Sequence, residues 1–218
     1  MDDNQLKEIA AQLSCPSGGQ GDKVAESMDK GNAFICARSI EMLDPKPREW
    51  IAEVGPGSGL LSIPIVESIG SGGCYIGMER SSDMASQAEL RLDQINSSKV
   101  SFHIGDCMDA PIESNTVDGF IAVNVLYFIE DIQAFFMNIS SWLKPGGRTV
   151  FGVRSEKSLR DIPFTRFGFN IRSLDEIVDA LQASGFEDVK TAYYDEGIET
   201  IGGLEIAVDS QIIKATAL

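Results

Sequence analysis

Trp50-Ile51-Ala52-Glu53-Val54 runs into Gly55-Pro56-Gly57-Ser58-Gly59, an apolar stretch that breaks into a glycine turn, and a helical pattern opens at about Leu60. A strand that turns straight into a helix presents backbone N–H groups there, and glycines let a ligand approach them closely. Twenty residues beyond Gly59, Glu79 stands at the tip of the next apolar run, 74–78. A carboxylate at that place can accept both hydroxyl hydrogens of a ribose, so the stretch predicts a nucleoside site. The spacing is GxGxG, and the third glycine of a dinucleotide pattern would fall on Leu60. The loop also opens with an acid, Glu53. That charge sits badly beside a pyrophosphate and well beside an ammonium or a sulfonium.

Outward from this turn the chain keeps alternating. Apolar runs at 50–54, 74–78, 100–104, 119–125 and 148–153 are separated by helical patterns at about 60–69, 83–95 and 131–143. Strands and helices in that rhythm imply βαβ units and a mostly parallel sheet. Upstream, helices are expected over 4–13 and 23–43, divided by the turn Cys15–Gly19. Downstream, 155–170 reads as irregular, with Phe164, Phe167 and Phe169. Ser173 and Glu176 have capping-box spacing for a further helix, and Gly185 marks its end. Apolar stretches at 189–194 and 204–215, joined by 195–203, predict a terminal antiparallel hairpin. The expected architecture is a doubly wound three-layer α/β sandwich on a seven-stranded, mostly parallel sheet with an antiparallel terminal strand. Residues 1–47 would form an N-terminal helical cap, 48–218 the Rossmann-like domain, and 154–172 a substrate lid.

With 218 residues, one domain with a cap is the natural size. Lys plus Arg is 18 against 33 Asp plus Glu, a net charge of −15, which repels a phosphate backbone and disfavours nucleic acid. No apolar run approaches the roughly 18 residues of a membrane helix. The acidic start, MDDNQLKEIA, does not read as a secretory signal. Cys15, Cys36, Cys74 and Cys107 form no CxxC pair, which argues against zinc and disulfides and fits a reducing cytoplasm. No metal constellation is expected.

Two further motifs complete a set. Gly105-Asp106-Cys107 closes the third strand, and Leu143-Lys144-Pro145-Gly146-Gly147 precedes the fifth. With EVGPGSG, GMER, VDGFIAVNVLYF and the late SLDEIVDALQASGFEDVK, these resemble the class I S-adenosylmethionine-dependent methyltransferases over about 48–215. The likeness is nearest the small-molecule branch that includes quinone and sterol methyltransferases. It implies S-adenosylmethionine as cofactor, with S-adenosylhomocysteine as product. It also implies that Gly55, Pro56, Gly57 and Gly59 line the methionine part, with Glu53 near its ammonium group. Glu79 would hold the ribose, Arg80 and Met84 would flank the adenine, and Asp106 and Cys107 would fix the adenine edge. Asn124 would offer its backbone carbonyl to the ammonium group. Cys107 stands where the family commonly has alanine, a change tolerable for a backbone contact.

Methyl transfer from a sulfonium needs alignment and desolvation, and a base only if the acceptor must lose a proton. The sole histidine, His103, lies inside a strand and reads as structural. Tyr127, after the fourth strand, is the better candidate for touching the acceptor, balanced against a packed core aromatic. Residues 154–172 carry Arg154, Lys157, Arg160, Arg166 and Arg172 against Glu156 and Asp161, a local charge of +3. The expected roles are a lid in which Arg160 and Arg166 contact an anionic or planar acceptor, with Met28 and Asn32 on the opposite wall. Rival readings are an NAD-dependent oxidoreductase, a non-catalytic cofactor-binding protein and, more weakly, a polyamine synthase.

Overall fold

A computed structural model describes residues 1–95, 99–201 and 203–218. Helices α1 (Asp3–Ser14) and α2 (Gly21–Leu43) precede β1 (Trp50–Val54), α3 (Ile63–Ile69), β2 (Cys74–Glu79), α4 (Ser82–Asp93) and β3 (Lys99–Ile104). Then follow β4 (Val117–Val123), α5 (Ile132–Trp142), β5 (Leu143–Val153), α6 (Glu156–Asp161), α7 (Leu174–Ala183), β6 (Phe186–Ile201) and β7 (Leu204–Ala217). The sheet order is β3-β2-β1-β4-β5-β7-β6. All neighbours up to β5 pair in parallel, and β7 runs antiparallel to both β5 and β6. The expected doubly wound seven-stranded sheet is the observed one.

Strand β1 lies at the centre with only Trp50 exposed, as a strand covered on both faces must. Alternation splits its side chains between two cores. Ile51 packs with Ile35 and Leu43 of α2 and with Ile65, Val66 and Ile69 of α3. Ala52 and Val54 face Phe135, Phe136 and Ile139 of α5. Helix α2 therefore does more than cap: its C-terminal half forms part of one sheet layer. The strand order reverses between β1 and β4, and the C-terminal ends of these two strands open the crevice in which open α/β sheets bind ligands.

Three details depart from the sequence reading. Residues 155–170 are ordered, holding α6 and a 3₁₀ turn at Pro163–Arg166. Ser155 supplies the start, accepting from the Ser158 N–H and donating to Asp209 at 2.6 Å. Residues 195–203 mostly extend the hairpin as strand, with β6 running to Ile201 before β7 begins at Leu204. The Lys144–Gly147 stretch lies within β5, at a register shift between Val117 and Gly119 of β4.

Candidate cofactor and acceptor site

A cavity of about 320 Å³ lies at the C-terminal ends of β1, β2, β3 and β4, roofed by the end of α1 and one face of α2. That volume is at the lower end of ligand pockets. Gly55, Gly57 and Gly59 all have positive φ, at 71°, 56° and 74°. The reasons differ at the last two. A Cβ on Gly57 meets no protein atom within 4 Å, so the turn leaves its backbone approachable. A Cβ on Gly59 would come within 2.9 Å of the Ala88 Cα, so glycine lets the turn press against α4.

Two buried carboxylates flank the turn. Glu79 accepts from the Gly57 N–H at 3.1 Å and from the Ser81 N–H at 2.9 Å, which ties the tip of β2 to the turn after β1. Burial pushes its carboxyl up from the ordinary value, and the amide hydrogen bonds pull against that. Glu53 accepts from the Tyr75 hydroxyl at 2.7 Å. Burial pushes Glu53 up to about 7, with the Tyr75 hydrogen bond opposing. Glu53 is thus poised to ionise near neutrality if a cation arrives.

Of the residues singled out in the sequence, Glu53, Gly55, Pro56, Gly57, Glu79, Arg80, Met84, Asp106, Cys107, Asn124, Met28 and Asn32 all line this cavity. Asp106 caps the turn after β3 through the Met108 N–H at 3.0 Å, and Cys107 is buried behind it. Asn124 has a φ of 56° and donates its side-chain amide to Asn32 Oδ1 at 2.8 Å, joining the β4 tip to α2.

Gly59, Tyr127, Arg160 and Arg166 are not in the lining. Tyr127 is buried; its hydroxyl donates to Asn124 Oδ1 and accepts from the Arg154 N–H at 3.0 Å. It is a packed aromatic that positions Asn124. Arg160 pairs with Glu156 on its own helix, and Arg166 reaches Asp3 on α1. His103 contacts the Asp106 carbonyl at 2.9 Å from within β3, a structural role as expected.

Sequence reading missed Tyr75 and Asp29. Tyr75 sits on β2, opposite Ile51 of β1, and its hydroxyl reaches a partner on another strand. Asp29 shares the cavity face of α2 with Met28, Asn32 and Cys36, and accepts from the Ser58 hydroxyl at 2.8 Å. Helical spacing from Asn32 would have found it. Among the described residues no group of His, Cys, Asp and Glu could hold a metal ion.

Residues 51–147 match the family model described as a methyltransferase domain. Phosphoethanolamine N-methyltransferase 3 of Arabidopsis thaliana is 28% identical over 155 residues, 69% of this chain and 31% of that protein. The chain spans about a third to a half of the length of the curated relatives first matched. A Haloferax volcanii methyltransferase, in complex with the Trm112 methyltransferase activator, superposes with a TM-score of 0.75 at 17% identity, covering 97% of this chain and 98% of that one. Geranyl diphosphate C-methyltransferase of Streptomyces coelicolor A3(2), in complex with Mg2+, its substrate and S-adenosyl-L-homocysteine, gives 0.71 at 15% identity, covering 95% and 89%. Residues 51–147 thus match a methyltransferase domain, set in the seven-stranded sheet that the chain shares with solved class I methyltransferases.

Proposed function

We propose that this chain binds S-adenosylmethionine and transfers its methyl group to a small-molecule acceptor. One observation carries the reading: Glu53 and Glu79, buried at the tips of adjacent strands, flank a positive-φ glycine turn whose Gly57 faces no side chain. The cofactor's chemistry is an electrophilic methyl on a sulfonium, displaced in line by a nucleophile. Gly55, Pro56 and Gly57 take the methionine portion against backbone, and Glu53 takes its ammonium group. Glu79 holds the ribose hydroxyls with the lone pairs that its two amide bonds leave over. Asp106 and Cys107 hold the adenine edge, flanked by Arg80 and Met84. Asn124, fixed by Asn32 and Tyr127, orients the acceptor side, while the end of α1 and one face of α2 keep bulk water out. Four free cysteines fit a reducing, cytoplasmic setting for this activity.

Calorimetry with S-adenosylhomocysteine and with NAD tests the reading. Saturable binding of the first and none of the second is expected. The Gly57→Val variant should keep its overall fold by circular dichroism and lose binding, because valine strains the turn at this positive φ and its side chain enters the face the ligand needs. Saturable NAD binding without S-adenosylhomocysteine binding would overturn the proposal.

A further inference from the structure

We propose that the acceptor end of this cavity selects an uncharged or cationic acceptor and rejects a phosphorylated or carboxylated one, with Asp29 on α2 setting that preference. The inference rests on the methyltransferase reading and adds the acceptor's charge class to it. The charged side chains lining the cavity are Asp29, Glu53, Glu79, Asp106, Glu130 and Asp131, against Arg80 as the one lysine or arginine among the described residues. Arg80 follows Glu79 at the tip of β2 and is exposed; in the sheet β1 separates that tip from β4. Among the described residues, the acceptor end, between α2 and the β4 tip, has no lysine or arginine in its lining.

The arginines of the 154–172 segment are engaged elsewhere. Arg154 donates to Glu196, to the Asp209 carbonyl at 2.8 Å and to the Gly31 carbonyl at 3.0 Å. Arg172 holds the Leu126, Ile129 and Glu130 carbonyls at 2.8, 2.7 and 2.9 Å. Arg160 and Arg166 are paired outside the cavity. A phosphate entering a partly desolvated site needs fixed cationic donors to replace its water, and carboxylates in their place repel it.

Among the inner carboxylates Asp29 has capacity to spare. Both Glu79 oxygens receive backbone amides, and Glu53, with one oxygen on the Tyr75 hydroxyl, is committed to the cofactor's ammonium group. Asp29 uses Oδ2 for the Ser58 hydroxyl, and Oδ1 has no partner among the described residues. It lies one helical turn from Asn32, which is bonded to Asn124 at the β4 tip. The pair of polar groups and the neighbouring carboxylate suit an amine or a hydroxyl.

Sinefungin provides the probe, since it carries a primary amine where the cofactor carries its transferable methyl. Calorimetry on the whole chain should show sinefungin bound at least about tenfold tighter than S-adenosylhomocysteine. In Asp29→Asn, whose amide oxygen still accepts from Ser58, that ratio should fall toward one; a ratio cancels effects common to both ligands. A wild-type ratio near one, or a ratio that Asp29→Asn leaves unchanged, overturns the proposal. Phosphoethanolamine titrated into protein saturated with S-adenosylhomocysteine should give no saturable heat, and saturable binding also overturns it. Failure of both nucleosides to bind would instead overturn the methyltransferase reading underneath.

Discussion

The cavity and the 154–172 segment both follow the C-terminal ends of the parallel strands and use charge in opposite ways. In the cavity, carboxylates are buried with little cationic company among the described residues: Glu53 and Glu79 hydrogen-bond hydroxyl or amide donors, burial raises both, and the charge of Arg80 offsets this at Glu79 only in part. In the segment, arginines outnumber acids, yet each has a partner within the protein. Arg154 has Glu196, Arg160 has Glu156, Arg166 has Asp3, and Arg172 has three carbonyls. Counted along the sequence, the segment looks like an anion receptor and the cavity like nothing in particular. Counted by partners, the segment is a brace and the cavity is the region with unspent charge. Local net charge therefore says little about a site until the pairing is known.

The largest effect is expected at Arg154. Its side chain is 11% exposed and that of Glu196 is 12%, so Arg154→Ala leaves a buried carboxylate uncompensated. Destabilisation of about 3–5 kcal/mol is expected, read as a lowered denaturant midpoint with an unchanged slope. A cost under about 1 kcal/mol would mean the pair is solvated and Arg154 is free to meet a ligand. Next in size is Glu79→Ala. Loss of a charge-assisted partner should weaken S-adenosylhomocysteine binding by about 1.5–3 kcal/mol in calorimetry. Wild-type affinity there would remove Glu79 from the ligand's reach.

These two residues mark how much the sequence disclosed. The glycine turn, Glu79 and the strand–helix rhythm were readable because local geometry dictates them: a positive-φ turn wants glycine, and an acid at the end of β2 has one place to point. Every cavity residue proposed from those motifs except Gly59 lines the cavity. The α2 wall was half readable, since Met28 and Asn32 imply a helix face, and Asp29 shares it. The partners of Arg154, Arg160 and Arg166 were not readable. Glu196 and Asp209 come from a hairpin that follows Arg154 by over forty residues, and Asp3 lies at the other end of the chain. Tyr127 was balanced between substrate contact and core, and only its burial beside Phe169 and its bond to Asn124 decide for the core.

A smaller effect sharpens the cavity side. Glu53 has a raised carboxyl, from an ordinary 4.5 to about 7, so the folded chain binds a proton there that the unfolded chain has released. Its contribution to stability is complete below pH 4.5 and is lost as pH rises to about 7. Ligand affinity has the opposite slope, because an ammonium group needs the ionised carboxylate. S-adenosylhomocysteine should bind about thirtyfold more weakly at pH 5.5 than at pH 8. Glu53→Gln should flatten both slopes. A wild-type affinity that is level across this range would put Glu53 outside the ammonium's reach.

The smallest expected effect tests the segment as a lid. Arg160 and Glu156 are 62% and 42% exposed, and Arg166 and Asp3 are 57% and 70% exposed, so solvent screens both pairs. Exposed pairs contribute between nothing and about 1 kcal/mol each. The aromatics hold the segment more firmly: Phe169 stacks on Tyr127 at 5.6 Å and meets Phe128 at 4.8 Å, and Phe128 lines the cavity. The joint Arg160→Ala, Arg166→Ala variant should therefore lose little stability and keep its S-adenosylhomocysteine affinity. With a confirmed acceptor its KM and kcat should match the wild type, because neither guanidinium faces the cavity. A several-fold rise in KM with kcat preserved would show that the segment swings over the acceptor in solution and that its arginines exchange their partners for substrate. In that case the contrast between a braced segment and an acidic cavity would describe only the closed-down form of the free protein, and the acceptor's charge would have to be read from the segment instead.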